Sequence, residues 1–230
     1  MVHAFDRIVF TVPAVAEAGA LYRQLLGVEP CNVGSGDAPR LWFPLPNTVI
    51  ELEQGSCDSP YIKGIVMAAS EPGSRHARFV NARGLDICLD DGTRTAALRK
   101  QREALPEPGL RVDHLVLRTA DAQECIDLFG GQLGLRLALD KTVPEWGGRM
   151  LFFRTGKITL EVIEPEREKP PADHFWGIAF QCPDLGHTAR ELAARGVSLS
   201  TVRKGRKPGT LVATVKSHCL GIPTLLLQPG

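Results

Sequence analysis

A fourfold repeat is the feature that most constrains what this chain can fold into. In each copy an apolar stretch with strand character is followed by a helical pattern and then by a glycine. The interval is 20 residues in three copies and 19 in the fourth: Arg7 to Gly27, Gly64 to Gly84, His114 to Gly134, and Gly177 to Gly196. Regular self-similarity is typical of a chain built from copies of one supersecondary unit.

Copies one and three show the complete unit, which we interpret as βαβββ. In copy three, Asp121 and Glu124 have the spacing of a capping box ahead of a helix that runs to about Leu133. The elements predicted for copy one are a strand at 5–13, a helix at 14–26 and strands at 28–33, 40–44 and 48–53. Those for copy three are a strand at 112–119, a helix to 133 and strands at 135–140, 149–154 and 158–163.

Copies two and four are partial or diverged, and both carry glycine where copy three has histidine. This alternation indicates duplication of a two-unit half, so we expect domains at 1–109 and 110–230. The elements predicted for copy two are a strand at 62–69, a helix at 74–83, a strand at 85–89 and a polar helix at 98–109. Those for copy four are a strand at 175–182, a helix at 185–195 capped by Asp184, and strands at 197–202, 210–216 and 223–228.

Composition narrows the class of protein. The net charge of +1 argues against a nucleic-acid partner. The basic run at 203–207 is more typical of a solvated turn than of an anion site. Six cysteines without a CxxC pair fit a reducing compartment. Neither a signal peptide nor an apolar run of membrane-spanning length is apparent, so the sequence predicts a soluble cytoplasmic protein without a membrane partner.

Two strands carry the candidate chemistry. In VDHLVLRT, His114 shares a strand face with Val116 and Arg118, because side chains alternate between faces. In TLEVI, Glu161 shares a face with Thr159 and Ile163. If both strands belong to one sheet, an imidazole and a carboxylate can point into one concavity and bind a divalent metal. Alternatively, they pair with each other or with Arg118.

At this level of detail the sequence resembles the vicinal oxygen chelate superfamily, which includes glyoxalase I, bleomycin-resistance proteins and type I extradiol dioxygenases. The resemblance covers nearly the whole chain. The motifs that carry it are DRIVFTVP with LYRQLLGV, VDHLVLRT with QLGL, ITLEVIEP, and WGIAFQCPDL with HCLGIPTLLLQP. It implies an α+β fold in which four βαβββ modules pair into two curved mixed-sheet domains around U-shaped cavities.

The resemblance also implies where a metal would bind, on the first and last strands of a module. Copy three has His114 and Glu161 at these positions. Copy four has Gly177 and Leu225, which offer no ligand. Copy one has Arg7 and Glu51, which favour a salt bridge in a second pocket, because arginine offers no lone pair.

Extradiol dioxygenases need three protein ligands in the C-terminal half and glyoxalase-like lyases need four, whereas this chain has two. Zinc, iron, manganese or nickel would therefore need Gln181, His218, His174 or a second subunit of a homodimer to join His114 and Glu161. A protein without any metal is also compatible with this pattern, with Glu161 as a proton-shuttling base.

The remaining pocket residues are predicted from strand spacing. Gly177 would make the cavity roomier at the ligand position, which favours a bulkier organic ligand. Arg118 and Arg149 could meet a carboxylate or phosphate, or else pair with Glu161 or Glu145. The aromatic residues that could pack around the ligand, or instead belong to the core, are Trp176, Trp146, Phe152 and Phe180.

Two functions follow for a small-molecule ligand. The first is a metal-assisted or metal-free lyase, isomerase or dioxygenase in which His114 and Glu161 are catalytic. The second is a metal-free protein that binds or sequesters the molecule without turnover, similar to bleomycin-resistance proteins. The number of metal ligands distinguishes them, and the two surviving ligands tilt the interpretation slightly toward the enzyme.

Overall fold

The computed structural model describes residues 2–36, 38–70, 77–79, 82–107 and 109–230. Its four helices are α1 Val15–Leu26, α2 Thr93–Glu103, α3 Ala122–Cys125, which continues as a π-helical turn at Ile126–Gln132, and α4 Leu185–Ala194. A 3-10 turn occupies Pro144–Trp146. No helix among the described residues is long and apolar enough to span a membrane.

Fifteen strands accompany the helices and confirm the predicted α+β class. In the N-terminal half they are β1 Val2–Val12, β2 Cys31–Asn32, β3 Arg40–Pro44, β4 Val49–Gln54, β5 Tyr61–Ala69, β6 Ala77–Arg78 and β7 Asp86–Asp90. In the C-terminal half they are β8 Arg111–Arg118, β9 Arg136–Val143, β10 Gly148–Thr155, β11 Ile158–Pro165, β12 His174–Gln181, β13 Arg203–Lys204, β14 Leu211–Thr214 and β15 Thr224–Gln228.

The first strands of the repeats lie at the centre of each half. Strand β1 pairs antiparallel with β5, and β8 pairs antiparallel with β12, while each of these four strands pairs in parallel with the last strand of its own repeat. The two halves meet where Phe175 on β12 pairs with Ile62 on β5. Repeat one thus pairs with repeat two, and repeat three with repeat four, while the division into domains at 109/110 stays a prediction.

The helices cover one face of the sheets and form the core there. Helix α1 buries Val15, Tyr22 and Leu25 against the first sheet, with the Tyr22 ring edge-on to Phe10 at 5.6 Å. It ends where Gly27 adopts a φ of 65°, a left-handed conformation that glycine enters without steric cost. The opposite, concave face is left for polar side chains.

Helix starts in the C-terminal half follow the predicted caps. Asp121 accepts a hydrogen bond from the Glu124 amide at 3.1 Å, and Asp184 accepts one from the His187 amide at 2.8 Å. The reciprocal half of the capping box does not form, because the Glu124 side chain pairs with Arg83 of the N-terminal half. Asp121 therefore caps the start of the helix, while the Glu124 side chain forms an ion pair with Arg83 between the two halves.

Three predicted elements are wrong. The helix expected at 74–83 is not formed where the chain is described, since Ala77–Arg78 is a strand paired with β7; residues 74–76, 80 and 81 lie outside the described residues. The strand expected at 197–202 is reduced to a bridge between Leu199 and Val215. The polar helix expected at 98–109 starts earlier, as Thr93–Glu103.

A β-bulge interrupts the first strand of every repeat at the same place. At this place one residue on each strand has no partner opposite: Asp6, Lys63, Asp113 and Trp176; β1 has a further unpaired residue at His3. Each of the four lies directly before the position that begins the 19- or 20-residue interval in its repeat. Bulges re-aim side chains locally, so this shared irregularity decides which residues reach the concave faces.

Candidate functional site

His114 and Glu161 lie on the concave face of the C-terminal sheet. Strands β8 and β11 are adjacent, with His114 beside Thr159 and Glu161 beside Val116. The alternate residues Leu115 and Leu160 are fully buried under the helices. The side chain of His114 is 17% exposed and that of Glu161 is 15% exposed, so a small molecule can reach both.

The imidazole of His114 lies between two carboxylates. Its Nε2 is 3.7 Å from Glu161 Oε2, and its Nδ1 is 2.8 Å from Asp113 Oδ2. Burial raises the pKa of Glu161, while the nearby charges of His114 and Arg206 oppose that rise. The arrangement places two groups that can exchange protons beside one another in a partly dry site.

The donor set does not fit a resident metal centre. The described residues contain no cluster of three or more His, Cys, Asp or Glu side chains that could hold an ion. His218 Nδ1 lies 2.7 Å from Ser217 Oγ and His174 Nδ1 lies 3.1 Å from the Ala172 carbonyl, and neither histidine joins His114 and Glu161 in such a cluster. Mononuclear catalytic sites rest on about three protein ligands, so the pair of His114 and Glu161 is not sufficient for one.

Gln181 lies on the concave face but further along β12. Ala179 is the residue of β12 paired with His114, and Gln181 is paired with Arg111 at the end of the strand. Leu225 on β15 pairs with Ala179 and so lies in the same row as His114, two strands away. Both side chains are half-buried and belong to the floor of the concavity.

Arg118 is a cation on this face. It lies on β8 beside Ile163, two residues beyond the level of Glu161. The alternative ion pair with Glu161 does not form, and within the described part of the chain the Arg118 guanidinium has neither an ion pair nor a hydrogen bond. Its charge is therefore available to an anionic ligand.

Arg149 is a wrong prediction for the pocket. Phe152 pairs with Glu161 and faces the concavity, so Arg149, three residues away on β10, faces the opposite side. There it binds Asp140 through two hydrogen bonds of 2.9 and 2.7 Å, rather than Glu145. Phe180 is likewise on the helix-covered side, where it is fully buried. The faces of Arg149 and Phe180 do not follow from spacing alone, because bulges and strand starts shift the alternation of side chains.

Gly177 does not enlarge the cavity, which corrects the expectation from sequence. A Cβ atom built on Gly177 would lie 2.7 Å from the Pro223 carbonyl oxygen and 3.2 Å from Pro223 Cβ. The space is filled by the neighbouring chain segment. Glycine is needed here for close backbone approach beside the bulge, as it is at Gly64, whose Cβ would meet the Asp86 carbonyl oxygen at 2.0 Å.

Trp176 is the bulged residue ahead of Gly177, and 43% of it is exposed. Asp6, Lys63 and Asp113 occupy the equivalent positions, and each contacts a side chain of its concave face. The equivalence is compatible with a place for Trp176 at the border of the concavity, which stays a prediction. Trp146 lies in the 3-10 turn before β10.

An ion cluster occupies most of the second pocket predicted at Arg7 and Glu51, and Glu51 also lines a small cavity that remains beside it. The predicted salt bridge forms, with Arg7 Nε 3.1 Å from Glu51 Oε2, and Arg7 also pairs with Asp6 at 2.7 Å and Asp90 at 3.3 Å. The Arg7 side chain is only 2% exposed. Trp42 completes the cluster by donating to Glu51 at 2.9 Å.

Helix α2 closes this cluster from above. Arg94 lies over the Trp42 ring at 5.0 Å, and the Thr95 hydroxyl donates to Asp6. A cavity of about 70 Å³ remains beside it, lined by charged residues that include Arg40, Glu53 and Lys63. A separate groove of about 430 Å³ lies between α4 and residues 196–199, away from His114. Among the described residues of the N-terminal half, this small cavity is what remains at the position that corresponds to the site of His114 and Glu161.

A family model described as the Glyoxalase/Bleomycin resistance protein/Dioxygenase superfamily matches residues 111–218, the segment that carries His114 and Glu161. This segment, a little under half of the chain, is therefore similar in sequence to that superfamily. No curated protein sequence matches the chain.

Solved structures of the superfamily fold resemble this one. A triple mutant of 4-hydroxymandelate synthase from Streptomyces coelicolor superposes with a TM-score of 0.75 at 12% identity, covering 100% of this chain and 93% of that one. A hypothetical protein from Bacillus halodurans C-125 gives 0.45 at 19% identity, covering 53% and 95%. Methylmalonyl-CoA epimerase from Streptomyces coelicolor gives 0.44 at 20% identity, covering 52% and 94%. The first establishes the two-domain fold.

Sequence reasoning missed Asp113. A signal was present, since an aspartate precedes the key position in both complete repeats, Asp6 before Arg7 and Asp113 before His114. Ideal alternation places neighbouring residues on opposite faces, so spacing alone does not bring Asp113 to the side of His114. Only the bulge brings the two side chains together.

Proposed function

We propose that this protein acts on a small organic anion bound on the concave face of the C-terminal half, and that Glu161 and His114 move a proton on it. One observation carries the proposal: Glu161 Oε2 and His114 Nε2 are 3.7 Å apart in a half-buried concavity, with the other imidazole nitrogen bound to Asp113. The pair has the spacing at which one group can accept a proton while its neighbour donates one.

The reaction class is proton transfer at a carbon next to a carbonyl group. The Glu161 carboxylate accepts the carbon-bound proton, and Nε2–H of protonated His114 donates to the carbonyl oxygen where negative charge develops. Return of a proton to carbon completes an isomerase-type step, and loss of a leaving group gives a lyase-type step. The raised pKa of Glu161 favours this role, because the carboxylate becomes a stronger base.

The walls of the site support an organic anion as the ligand. Arg118 offers a guanidinium on the same face as Glu161 that is unpaired among the described residues. Phe152 lies beside Glu161, and Leu225 lies in the row of His114. A molecule with one carboxylate or phosphate and an apolar body fits this distribution of charge and surface.

The test uses a panel of 2-oxo acids and related carboxylates with an acidic C–H bond. Binding is measured by ligand-observed NMR, and proton transfer by loss of the C–H signal in D₂O. We expect Glu161→Gln to retain binding and lose exchange. Arg118→Gln should weaken binding at least about tenfold, the loss expected for a charge-assisted hydrogen bond.

Arg136→Gln is the matched control. Arg136 is an exposed arginine on the edge strand β9 of the same sheet, so its loss should change neither binding nor exchange. If no anion binds in a manner that depends on Arg118, or if exchange survives in Glu161→Gln, the proposal is wrong.

The alternative is a binding protein without turnover, and the incomplete donor set favours it. In that case a panel member, or a molecule that co-purifies, binds equally well to the wild type and to Glu161→Gln. Neither protein then exchanges a proton. The same measurements therefore distinguish the two functions.

A further inference from the structure

We infer that Asp113 is a positioning residue: the bulge in β8 places its carboxylate against Nδ1 of His114 and fixes which imidazole nitrogen faces Glu161. This inference rests on the proposed function of His114 and Glu161. It adds a third residue to the site, one that acts on the ligand through the histidine.

The strand register explains how two consecutive residues reach the same face. Ala179 pairs with His114 and the next residue, Phe180, pairs with Val112, so Asp113 is the extra residue. Val112 is fully buried with Phe180 on the helix-covered side. Without the bulge, Asp113 would share that buried side instead of contacting the imidazole at 2.8 Å.

The first repeat contains the same arrangement independently. Phe5 pairs with Met67 and Arg7 with Val66, which leaves Asp6 as the extra residue. Its carboxylate lies 2.7 Å from the Arg7 guanidinium. A bulged aspartate thus contacts the next side chain in both complete repeats, although one partner is histidine and the other arginine. The contact follows from the backbone and is not an accident of one rotamer.

The chemistry of the contact sets the proton position. An ionised carboxylate can only accept hydrogen bonds, so Nδ1 of His114 must donate. The neutral imidazole then carries its proton on Nδ1 and presents a lone pair at Nε2 toward Glu161. When the imidazole is protonated, Asp113 compensates its charge and Nε2–H points toward the ligand.

The test is the tautomer of His114, read from ring nitrogen shifts of protein labelled with ¹⁵N-histidine, at a pH where the imidazole is neutral. The His114→Gln spectrum identifies its signals among the six histidines. We expect the Nδ1–H form in the wild type and a mixture with the Nε2–H form in Asp113→Ala. Asp113→Asn should restore the Nδ1–H form, because its amide oxygen still accepts.

Asp140→Ala serves as the control, because Asp140 binds Arg149 on the other side of the sheet. In the exchange assay, Asp113→Ala should lower the rate at saturating ligand at least about tenfold with little change in KM. An unchanged tautomer in Asp113→Ala overturns the inference even if exchange depends on Glu161. A shifted tautomer without exchange in any variant supports it and refutes the proposed function instead.

Discussion

Arg7 and Glu51 form a buried ion pair, with Nε 3.1 Å from Oε2, at the place in the first repeat where His114 and Glu161 face each other in the third. Strand order and bulge are the same in both repeats. One side chain differs at the key position, and helix α2 covers only the N-terminal cluster. The same framework therefore produces a structural ion cluster in one half and an open site in the other.

Arg7 forms ion pairs with three carboxylates, so its replacement should strongly destabilise the folded protein. In Arg7→Met the side-chain volume is nearly kept while Asp6, Glu51 and Asp90 lose their shared cation. We expect the free energy of unfolding to fall by about 3–5 kcal/mol, the cost of breaking a buried ion pair. Urea denaturation measures it. Arg40→Met, at a side chain 41% exposed, should cost less than about 1 kcal/mol; equal losses would contradict the role of burial.

Gly177 is required by the close approach of Pro223. Gly177→Ala places a methyl group 2.7 Å from the Pro223 carbonyl oxygen, so β12 or the segment before β15 must shift. We expect a loss of about 1–3 kcal/mol in thermal or denaturant unfolding. Gly131→Ala, where an added Cβ has open space, should be neutral or slightly stabilising. A neutral Gly177→Ala would restore the idea of a roomier pocket.

Metal binding should be weak and substoichiometric. Within the part of the chain that the structure describes, His114 and Glu161 alone offer donors at the predicted position, and two protein ligands rarely retain a divalent ion. Protein purified without an affinity tag and dialysed against zinc, iron, manganese or nickel should carry well below one equivalent by elemental analysis. His114→Ala should give the same value. One equivalent that disappears in His114→Ala would refute this prediction.

Cys125 should make the protein less stable at high pH. Burial raises the pKa of this thiol to about 11, against an ordinary value of 9.0. As the pH rises, the thiol loses its proton first in the unfolded chain. The contribution of Cys125 to the free energy of unfolding is therefore constant below pH 9 and falls as the pH rises from 9 to 11. The loss should be roughly 3 kcal/mol at most.

The measurement is urea denaturation at several pH values, compared between the wild type and Cys125→Ala. The difference in stability between the two should shrink as the pH rises through this window. Cys57→Ser, at a half-buried thiol, should follow the wild type. A difference that stays constant with pH would show that Cys125 does not titrate differently in the two states.

Much of the architecture was readable from the sequence because it depends on local patterns. Alternating apolar residues and helix-ending glycines such as Gly27 and Gly134 gave the complete repeats, and Asp121 and Asp184 marked helix starts. The pairing of His114 with Glu161 followed from strand parity within uninterrupted stretches. The partial second repeat was predicted poorly, because its helical pattern at 77–79 is overridden by pairing with β7.

By itself the sequence determined the fold class, the repeat order and the residue types at the key positions, since these rest on spacing along the chain. Tertiary structure alone decided which side chains share a surface. The bulge at Asp113 brings its side chain to His114, and the alternation of β10 places Arg149 on the side opposite Glu161. Pro223 fills the space beside Gly177. Each depends on contacts between segments distant in sequence, and the register of such contacts is set by the packing of whole sheets.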